Sequence, residues 1–217
     1  MKLIDQTREG LIDYTSAQVA NLCPDGRNGP VRERIAEHVD EALARIGHCI
    51  DAVRMWRQGE FSHLHSSQYC IYLYYLANTI WRESGDRDVC TRLFLLNKAL
   101  NGIDLFYEIE MPGVFFIGHS VGIVLAKATY GERLVLYQNS TVGKNHGVAP
   151  VLGEGVVMYP NTAIIGRSVV EDDAVISQGT SVVNRHVPKG MTAFPGEPGK
   201  LAFRPRADDL LQEYFRL

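Results

Sequence analysis

Residues 152–182 read LGEGVVMYPNTAIIGRSVVEDDAVISQGTSV, and a large aliphatic residue recurs in this segment at every sixth position. These positions are Leu152, Met158, Ile164, Val170, Ile176 and Val182. A small or β-branched residue follows four places after each of the first five, at Val156, Thr162, Ser168, Ala174 and Thr180. A fixed period of six is typical of a parallel β-helix, in which each hexapeptide forms a short strand and a corner. The segment therefore predicts stacked triangular coils with the large side chains inside and the small ones at the corners.

The same phase extends towards the amino terminus through Val142, Leu136 and Tyr130, but it contains one break. Leu152 follows Val142 by ten residues, which is neither one period nor two. The break predicts that residues 143–150 leave the prism as a loop. Loops on a rigid scaffold commonly carry binding and catalytic residues, so we expect this loop at a functional site.

The first half of the chain has a helical pattern instead. Apolar residues from Val31 to Val53 are spaced three or four apart, which places them on one face of a helix. Residues 68–81 and 88–100 predict two more helices, and residues near Ala207–Phe215 predict a short one. The expected fold class is α+β, with a helical domain over 1–107, a β-helix domain over 108–205 and a carboxy-terminal helix over 206–217.

Composition narrows the class of protein. The 217 residues include 22 Lys and Arg against 25 Asp and Glu, a formal net charge of −3, so the chain has no strongly basic character. We expect neither a nucleic acid nor a membrane as partner. The charged start, Met1–Glu9, lacks a signal sequence, which favours a cytoplasmic location. The four cysteines have no metal-ligand spacing, so we expect buried, reduced thiols and no metal.

Several segments carry a resemblance to a known family. They are 96–104 (LNKALNGID), 108–119 (EIEMPGVFFIGH), 138–143 (QNSTVG), 182–190 (VVNRHVPKG) and 194–198 (FPGEP). They resemble the serine acetyltransferases and their relatives from polysaccharide biosynthesis, within the hexapeptide-repeat acyltransferase superfamily, over about half of the chain. The resemblance implies a left-handed β-helix, acetyl-CoA as cosubstrate, and a homotrimer or dimer of trimers with active sites shared between neighbouring chains.

His119 matches the catalytic histidine of that family. The resemblance implies that it acts as general base, because a neutral imidazole can accept the proton of an alcohol as the alcohol attacks a thioester. A carboxylate on the other ring nitrogen would fix the tautomer. The family places an aspartate upstream of the histidine, and here Glu110, or in second place Glu108, is the candidate. The alternative is that His119 is a structural corner residue.

The predicted loop contributes the candidate acceptor-binding residues His146, Asn145 and Lys144. His146 lies where the family carries an Arg-His pair, but Asn145 replaces the arginine, and Gly118 replaces the aspartate beside the catalytic histidine. Both changes remove a charged side chain that would bind the ammonium or carboxylate group of an amino acid. We therefore expect a small hydroxylated acceptor such as a sugar or polysaccharide precursor. The alternatives are that the acceptor is serine or another amino acid, that the acetyl group goes to an amino group, or that the protein is a non-catalytic trimeric scaffold.

The closing coil supplies the candidate cofactor-binding residues. Gly196 and Ala202 lie where the family's last coil passes the cofactor, and Lys200 and Arg204 are candidates for its phosphates; each is otherwise an ordinary surface residue. A zinc site of the γ-carbonic anhydrase kind is not expected, because no third histidine follows His119 and His146 at close spacing.

Overall fold

A computed structural model describes residues 1–206 and 210–216. The helices are α1 (Arg8–Leu22), α2 (Asn28–Ala52), α3 (Ser66–Ser84), α4 (Arg87–Asn101) and α5 (Leu210–Tyr214). The strands are β1 (Lys2–Leu3), β2 (Glu60–Phe61), β3 (Asp104–Leu105), β4 (Phe115–Ile117), β5 (Val124–Leu125), β6 (Thr129–Tyr130), β7 (Leu134–Leu136), β8 (Thr141–Gly143), β9 (Val151–Leu152), β10 (Val157–Met158), β11 (Ala163–Ile165), β12 (Val169–Val170), β13 (Val175–Ile176), β14 (Ser181–Val183), β15 (His186–Val187), β16 (Met191–Pro195) and β17 (Leu201–Pro205).

The helical part contains the three predicted helices and one that the sequence pattern did not predict. Helix α1 begins after Thr7, whose side chain accepts a hydrogen bond from Gly10 N at 3.0 Å. Its buried face includes Thr15 and Ser16, so it has no clean apolar stripe. Helices α3 and α4 end at glycines with positive φ, Gly85 and Gly102, as glycine C-caps commonly do. None of the described helices has the length and apolar character needed to span a bilayer.

The strands from β3 onwards form a triangular prism of about five coils. We name its faces sheet A (β4, β7, β10, β13 and β16, with β17 at the edge), sheet B (β3, β5, β8, β11 and β14) and sheet C (β6, β9, β12 and β15). Within each sheet successive coils pair in parallel, so that Ile164 lies between Val142 and Val182. The parallel β-helix predicted from the six-residue period, the preceding helices and the short helix after it are confirmed.

The interior of the prism is filled by the predicted ladder. All six large positions from Leu152 to Val182 are at most 1% exposed, and the companion positions from Val156 to Thr180 are equally buried. The buried hydroxyls of Thr162 and Ser168 donate to backbone carbonyls of their own corners, Tyr159 O and Ile165 O, each at 2.8 Å, and Thr180 shares a 2.9 Å hydrogen bond with the Ser177 hydroxyl. Small polar residues therefore occupy the corners without leaving unsatisfied groups.

Three features differ from the sequence expectation. The chain leaves the prism after Gly143 as predicted, but it returns through a tight turn in which Asn145 and Val148 exchange backbone hydrogen bonds of 2.9 and 3.0 Å. At the other end, β17 runs antiparallel to β16, so the last pair is a hairpin and not another coil. Strand β3 also begins ahead of the predicted boundary at residue 108. Ala207, Asp208, Asp209 and Leu217, which belong to the predicted carboxy-terminal helix, lie outside the described residues.

Sheet A is buried on both faces from β4 to β13. Its outward residues, Phe116, Val135, Val157 and Val175, are at most 5% exposed. They are covered by residues 210–216, which we call the carboxy-terminal segment, and by the end of α2. Tyr214 of this segment packs on Phe116 with ring centroids 5.8 Å apart, and Trp56 does so at 5.7 Å. The carboxy-terminal segment thus joins the helical part to one face of the prism.

Candidate active site

His119 lies at the corner between sheets A and B, directly after β4. Its side chain is exposed, whereas the backbone around it is fixed. Gly118 N donates to Leu136 O at 2.9 Å, and Gly122 N, at the end of the same turn, donates to Gly102 O at 2.9 Å. The corner therefore presents an imidazole to solvent from a rigid backbone.

The structure does not bring Glu108 or Glu110 to His119. The Glu108 carboxylate is paired with Lys127 at the corner between sheets B and C, and Glu110 is exposed without an ion pair among the described residues. Both glutamates are close to His119 in sequence, but the chain crosses another side of the prism between them and the histidine. Among the described residues of a single chain, no carboxylate is hydrogen-bonded to the His119 ring.

Asp104 is a carboxylate beside the His119 turn that the sequence analysis did not name. It lies on β3, which pairs with β5, and its N–H donates to Ile123 O at 2.8 Å, in the turn that follows His119. One carboxylate oxygen, Oδ2, bonds to Lys98 Nζ at 2.6 Å. Asp104 is the only aspartate between residues 89 and 171. Since the resemblance implies an upstream aspartate, the sequence contained a signal for this residue.

The three loop candidates sit at a different corner from His119. Lys144 and His146 are exposed and Asn145 is half-buried, all between β8 and β9, where sheet B meets sheet C. His146 has φ +48° and is followed by Gly147 at +79°, the geometry of a two-residue hairpin turn. One face of the prism separates this corner from that of His119, roughly 20 Å for six residues at about 3.3 Å each. His119 and His146 of the same chain are therefore too far apart to contribute to one site.

The candidate cofactor residues lie on the β16–β17 hairpin. Gly196 N donates to Lys200 O at 3.1 Å and closes the turn. Ala202 pairs with Phe194, and the guanidinium of Arg204 lies 5.4 Å from the Phe194 ring centroid. All four candidates, Gly196, Lys200, Ala202 and Arg204, are exposed.

Two adjacent cavities flank this hairpin and bring Lys200 together with a residue that sequence reasoning missed. They measure about 370 and 340 Å³, and Arg185, Lys200 and Leu201 line both. Phe203, 41% exposed, and His186 also line the second cavity. Gly196, Ala202 and Arg204 do not line either one. Two cations and an aromatic ring around open cavities suit a ligand with phosphate groups and a flat ring.

Gly118, beside His119, lies directly under the ring of Tyr137. A Cβ atom on Gly118 would be 2.6 Å from Cε1 of Tyr137, so only glycine allows this contact. Tyr137 stacks on Tyr159 of the next coil, with ring centroids 5.8 Å apart. The space beside His119 is thus occupied by aromatic rings. Within the described residues there is no group of three or more His, Cys, Asp or Glu side chains arranged to hold a metal ion.

No family model matches the chain. Among curated proteins, the plasmid serine acetyltransferase of Synechococcus elongatus is 30% identical over 109 residues, which are 44% of this chain and 34% of that protein. The chain thus spans about a third of the length of this relative.

Solved structures resemble the chain over most of its length. The serine acetyltransferase of Vibrio cholerae O1 biovar El Tor has a TM-score of 0.70 at 20% identity, covering 95% of this chain and 83% of that one. A serine acetyltransferase in complex with CoA has a TM-score of 0.68 at 18% identity, covering 91% and 86%. These likenesses establish the common fold, with helices before the β-helix and a short helix after it.

Proposed function

We propose, from the premise that this chain is serine acetyltransferase-like in sequence and fold, that it is an acetyl-CoA-dependent O-acetyltransferase. The observation that carries the proposal is an exposed imidazole, that of His119, on a rigid corner of a β-helix of this kind. Acetyl-CoA supplies an activated thioester carbonyl. His119 takes the proton of the acceptor hydroxyl as its oxygen attacks that carbonyl, and returns the proton to the departing thiol.

Asp104 is the residue that we assign to orient His119. Its strand borders the turn that follows His119, and only one of its carboxylate oxygens is bonded to Lys98. The free oxygen, Oδ1, is available to accept a hydrogen bond from the imidazole and stabilise its protonated form. We propose this assignment in place of Glu108, which is paired with Lys127, and Glu110, which is exposed and makes no ion pair among the described residues.

The acceptor that the comparisons support best is serine or a closely similar hydroxy amino acid. The curated relative and the structural neighbours described above carry the name serine acetyltransferase, and no comparison supports the sugar expected from the sequence. A sugar remains the second candidate because of one local observation. Gly118 and Asn145 carry no charge, and the Tyr137 ring fills the space beside Gly118. An acceptor screen that reads released thiol with serine, homoserine, free sugars and nucleotide sugars separates the two.

We assign binding of the CoA phosphates to Arg185 and Lys200. Both line the two cavities beside the β16–β17 hairpin, where cationic side chains meet exposed Phe203. Alanine at either position raises the KM for acetyl-CoA and leaves the KM for the acceptor unchanged. Gly196, Ala202 and Arg204 remain candidates from the resemblance alone.

A trimer with shared active sites fits the separation of His119 and His146. These residues occupy different corners of one prism, so His119 of one chain meets the His146 turn only on a neighbouring chain. Mixed refolding of His119→Ala and His146→Ala chains tests this arrangement. Random mixing restores about a quarter of the wild-type rate if each site takes one residue from each of two chains, and none if both residues act within one chain.

The His119→Ala variant tests the proposal as a whole. The general base contributes about a hundredfold to ten-thousandfold, so kcat falls by that factor while the melting temperature is kept. The control is His48→Ala, which removes an exposed histidine on α2, away from the proposed site. Unchanged turnover in His119→Ala contradicts the mechanism. If the wild-type protein releases no thiol with any acceptor, a non-catalytic scaffold is favoured.

A further inference from the structure

The Gly118 peptide, which precedes His119, is contacted on two sides. On one side the Tyr137 ring lies directly on Gly118. On the other, Ser67 Oγ, buried in the first turn of α3, donates a 3.4 Å hydrogen bond to Gly118 O. The residue after His119 is also held, because Ser120 Oγ donates to Asn101 O at 2.7 Å. The direction of the His119 side chain therefore depends on groups that lie outside its own corner.

Tyr137 is in turn held by Tyr214 of the carboxy-terminal segment. The Tyr137 hydroxyl donates to the Tyr214 hydroxyl at 3.3 Å, and the two rings meet edge to face at 6.4 Å. Tyr214 is only 5% exposed, and burial raises its pKa, so that its hydroxyl stays neutral. The contact is a hydrogen bond between the hydroxyl of buried Tyr214 and that of half-buried Tyr137.

The position of Tyr214 is fixed by the end of helix α2. Arg54 N donates to Tyr214 O at 2.7 Å, and Arg216 N donates to Ala52 O at 2.8 Å. The Arg216 guanidinium bonds to the carbonyls of Asp51, Arg54 and Trp56. A cation at a helix carboxyl end is also favoured by the helix dipole. Tyr214 therefore cannot shift without breaking several backbone contacts.

We infer that Tyr214 is a positioning residue for His119, acting through Tyr137 and the Gly118 peptide. The carboxy-terminal segment then determines the orientation of the imidazole that the prism presents. The inference rests on the proposed role of His119 as general base. The general base does not itself bind the substrate. Displacing it by a fraction of an ångström therefore lowers kcat and leaves KM unchanged.

The test compares Tyr214→Phe with Tyr130→Phe. Both remove one hydroxyl from a buried tyrosine, but the Tyr130 hydroxyl bonds to Ala126 O at another corner. Tyr214→Phe lowers kcat by about tenfold, in line with the sensitivity of catalysis to small displacements, with KM for acetyl-CoA unchanged. Tyr130→Phe leaves kcat unchanged. An equal kcat in wild type and Tyr214→Phe overturns the inference, as does an equal loss in both variants.

A second measurement does not depend on acetyl transfer. In protein labelled at histidine, the ring Cε1–H resonance of His119, assigned with His119→Ala, shifts or broadens in Tyr214→Phe and stays in place in Tyr130→Phe. Tyr137→Phe gives the same change, and the double variant adds nothing to it, because both substitutions break one hydrogen bond. An unmoved resonance overturns the inference. A moved resonance in a protein without transferase activity overturns the proposed function and leaves the positioning contact standing.

Discussion

Sheets A and C are made from the same hexapeptide repeat, yet their outer faces differ completely. Val157 on the outer face of sheet A is fully buried, whereas Val151 in the corresponding position of sheet C is 44% exposed. The inward residues of both sheets are equally buried. The repeat therefore specifies the interior of the prism, while the burial of its outside is set by what lies against each face. Of these two sheets, A is the one covered by described residues, those of the carboxy-terminal segment and the end of α2.

Among the changes described here, we expect removal of this cover to have the largest effect, because it exposes the outer face of sheet A as that of sheet C is exposed. Deletion of residues 206–217 uncovers the outward side chains of sheet A, Phe116 and the three valines above it. Since burying each such side chain contributes about 1.5 to 3 kcal/mol, we expect unfolding free energy to fall by more than about 3 kcal/mol. Urea denaturation measures it. A deletion variant as stable as the full chain contradicts the role of the segment as a cover.

A pair of alanine substitutions sharpens the comparison at single positions. Val157→Ala leaves a cavity between sheet A and its cover and costs roughly 1 to 3 kcal/mol. Val151→Ala removes a half-exposed side chain and costs less than about 0.5 kcal/mol in the monomer. Thermal or urea unfolding at a protein concentration that keeps the chain monomeric distinguishes them. Equal losses would mean that the outer faces of the two sheets are equally important for folding.

Arg216, which anchors the carboxy-terminal segment, is a further point at which the cover of sheet A can be weakened. Arg216→Ala removes the hydrogen bonds to Asp51, Arg54 and Trp56 carbonyls, which lowers stability by about 1 to 3 kcal/mol. Arg216→Lys is the matched control, because it keeps the charge but cannot reach several carbonyls with one planar group. We expect it to restore less than half of the loss. Full recovery by lysine would show that charge, and not the guanidinium fork, holds the segment.

The smallest effect lies on sheet C. His186 Nε2 is 2.9 Å from Glu171 Oε1, and this contact, with the backbone N–H of Lys189, lowers the pKa of Glu171. A carboxyl with a lowered folded-state pKa stabilises the fold above its unfolded pKa and loses this contribution as pH falls through the folded pKa. Glu171→Gln therefore melts slightly lower than wild type at pH 7, and the difference shrinks as the pH falls through the lowered folded-state pKa of Glu171. A melting difference that persists at the acid end contradicts this account.

The sequence predicted those parts of the molecule that depend on local repetition. Met158 and Thr162 have the positions expected of them because every coil imposes the same inside and corner. The pattern missed α1, whose buried face contains Thr15 and Ser16, and it missed the cover of sheet A, which comes from residues far along the chain. It named His119 as the candidate base but did not name Asp104, which we propose as its partner, because residues close in sequence, such as Glu108, lie on another corner once the chain is wound.

The antiparallel hairpin at the end of sheet A has a consequence for self-association. A solenoid whose final strand is left open offers its unpaired edge to further strands, and growth of this kind leads to fibres. Here β17 occupies that edge in the opposite direction, and Pro205 at the end of β17 has no N–H to donate to another strand. We expect the protein to resist end-to-end polymerisation along this face even at high concentration.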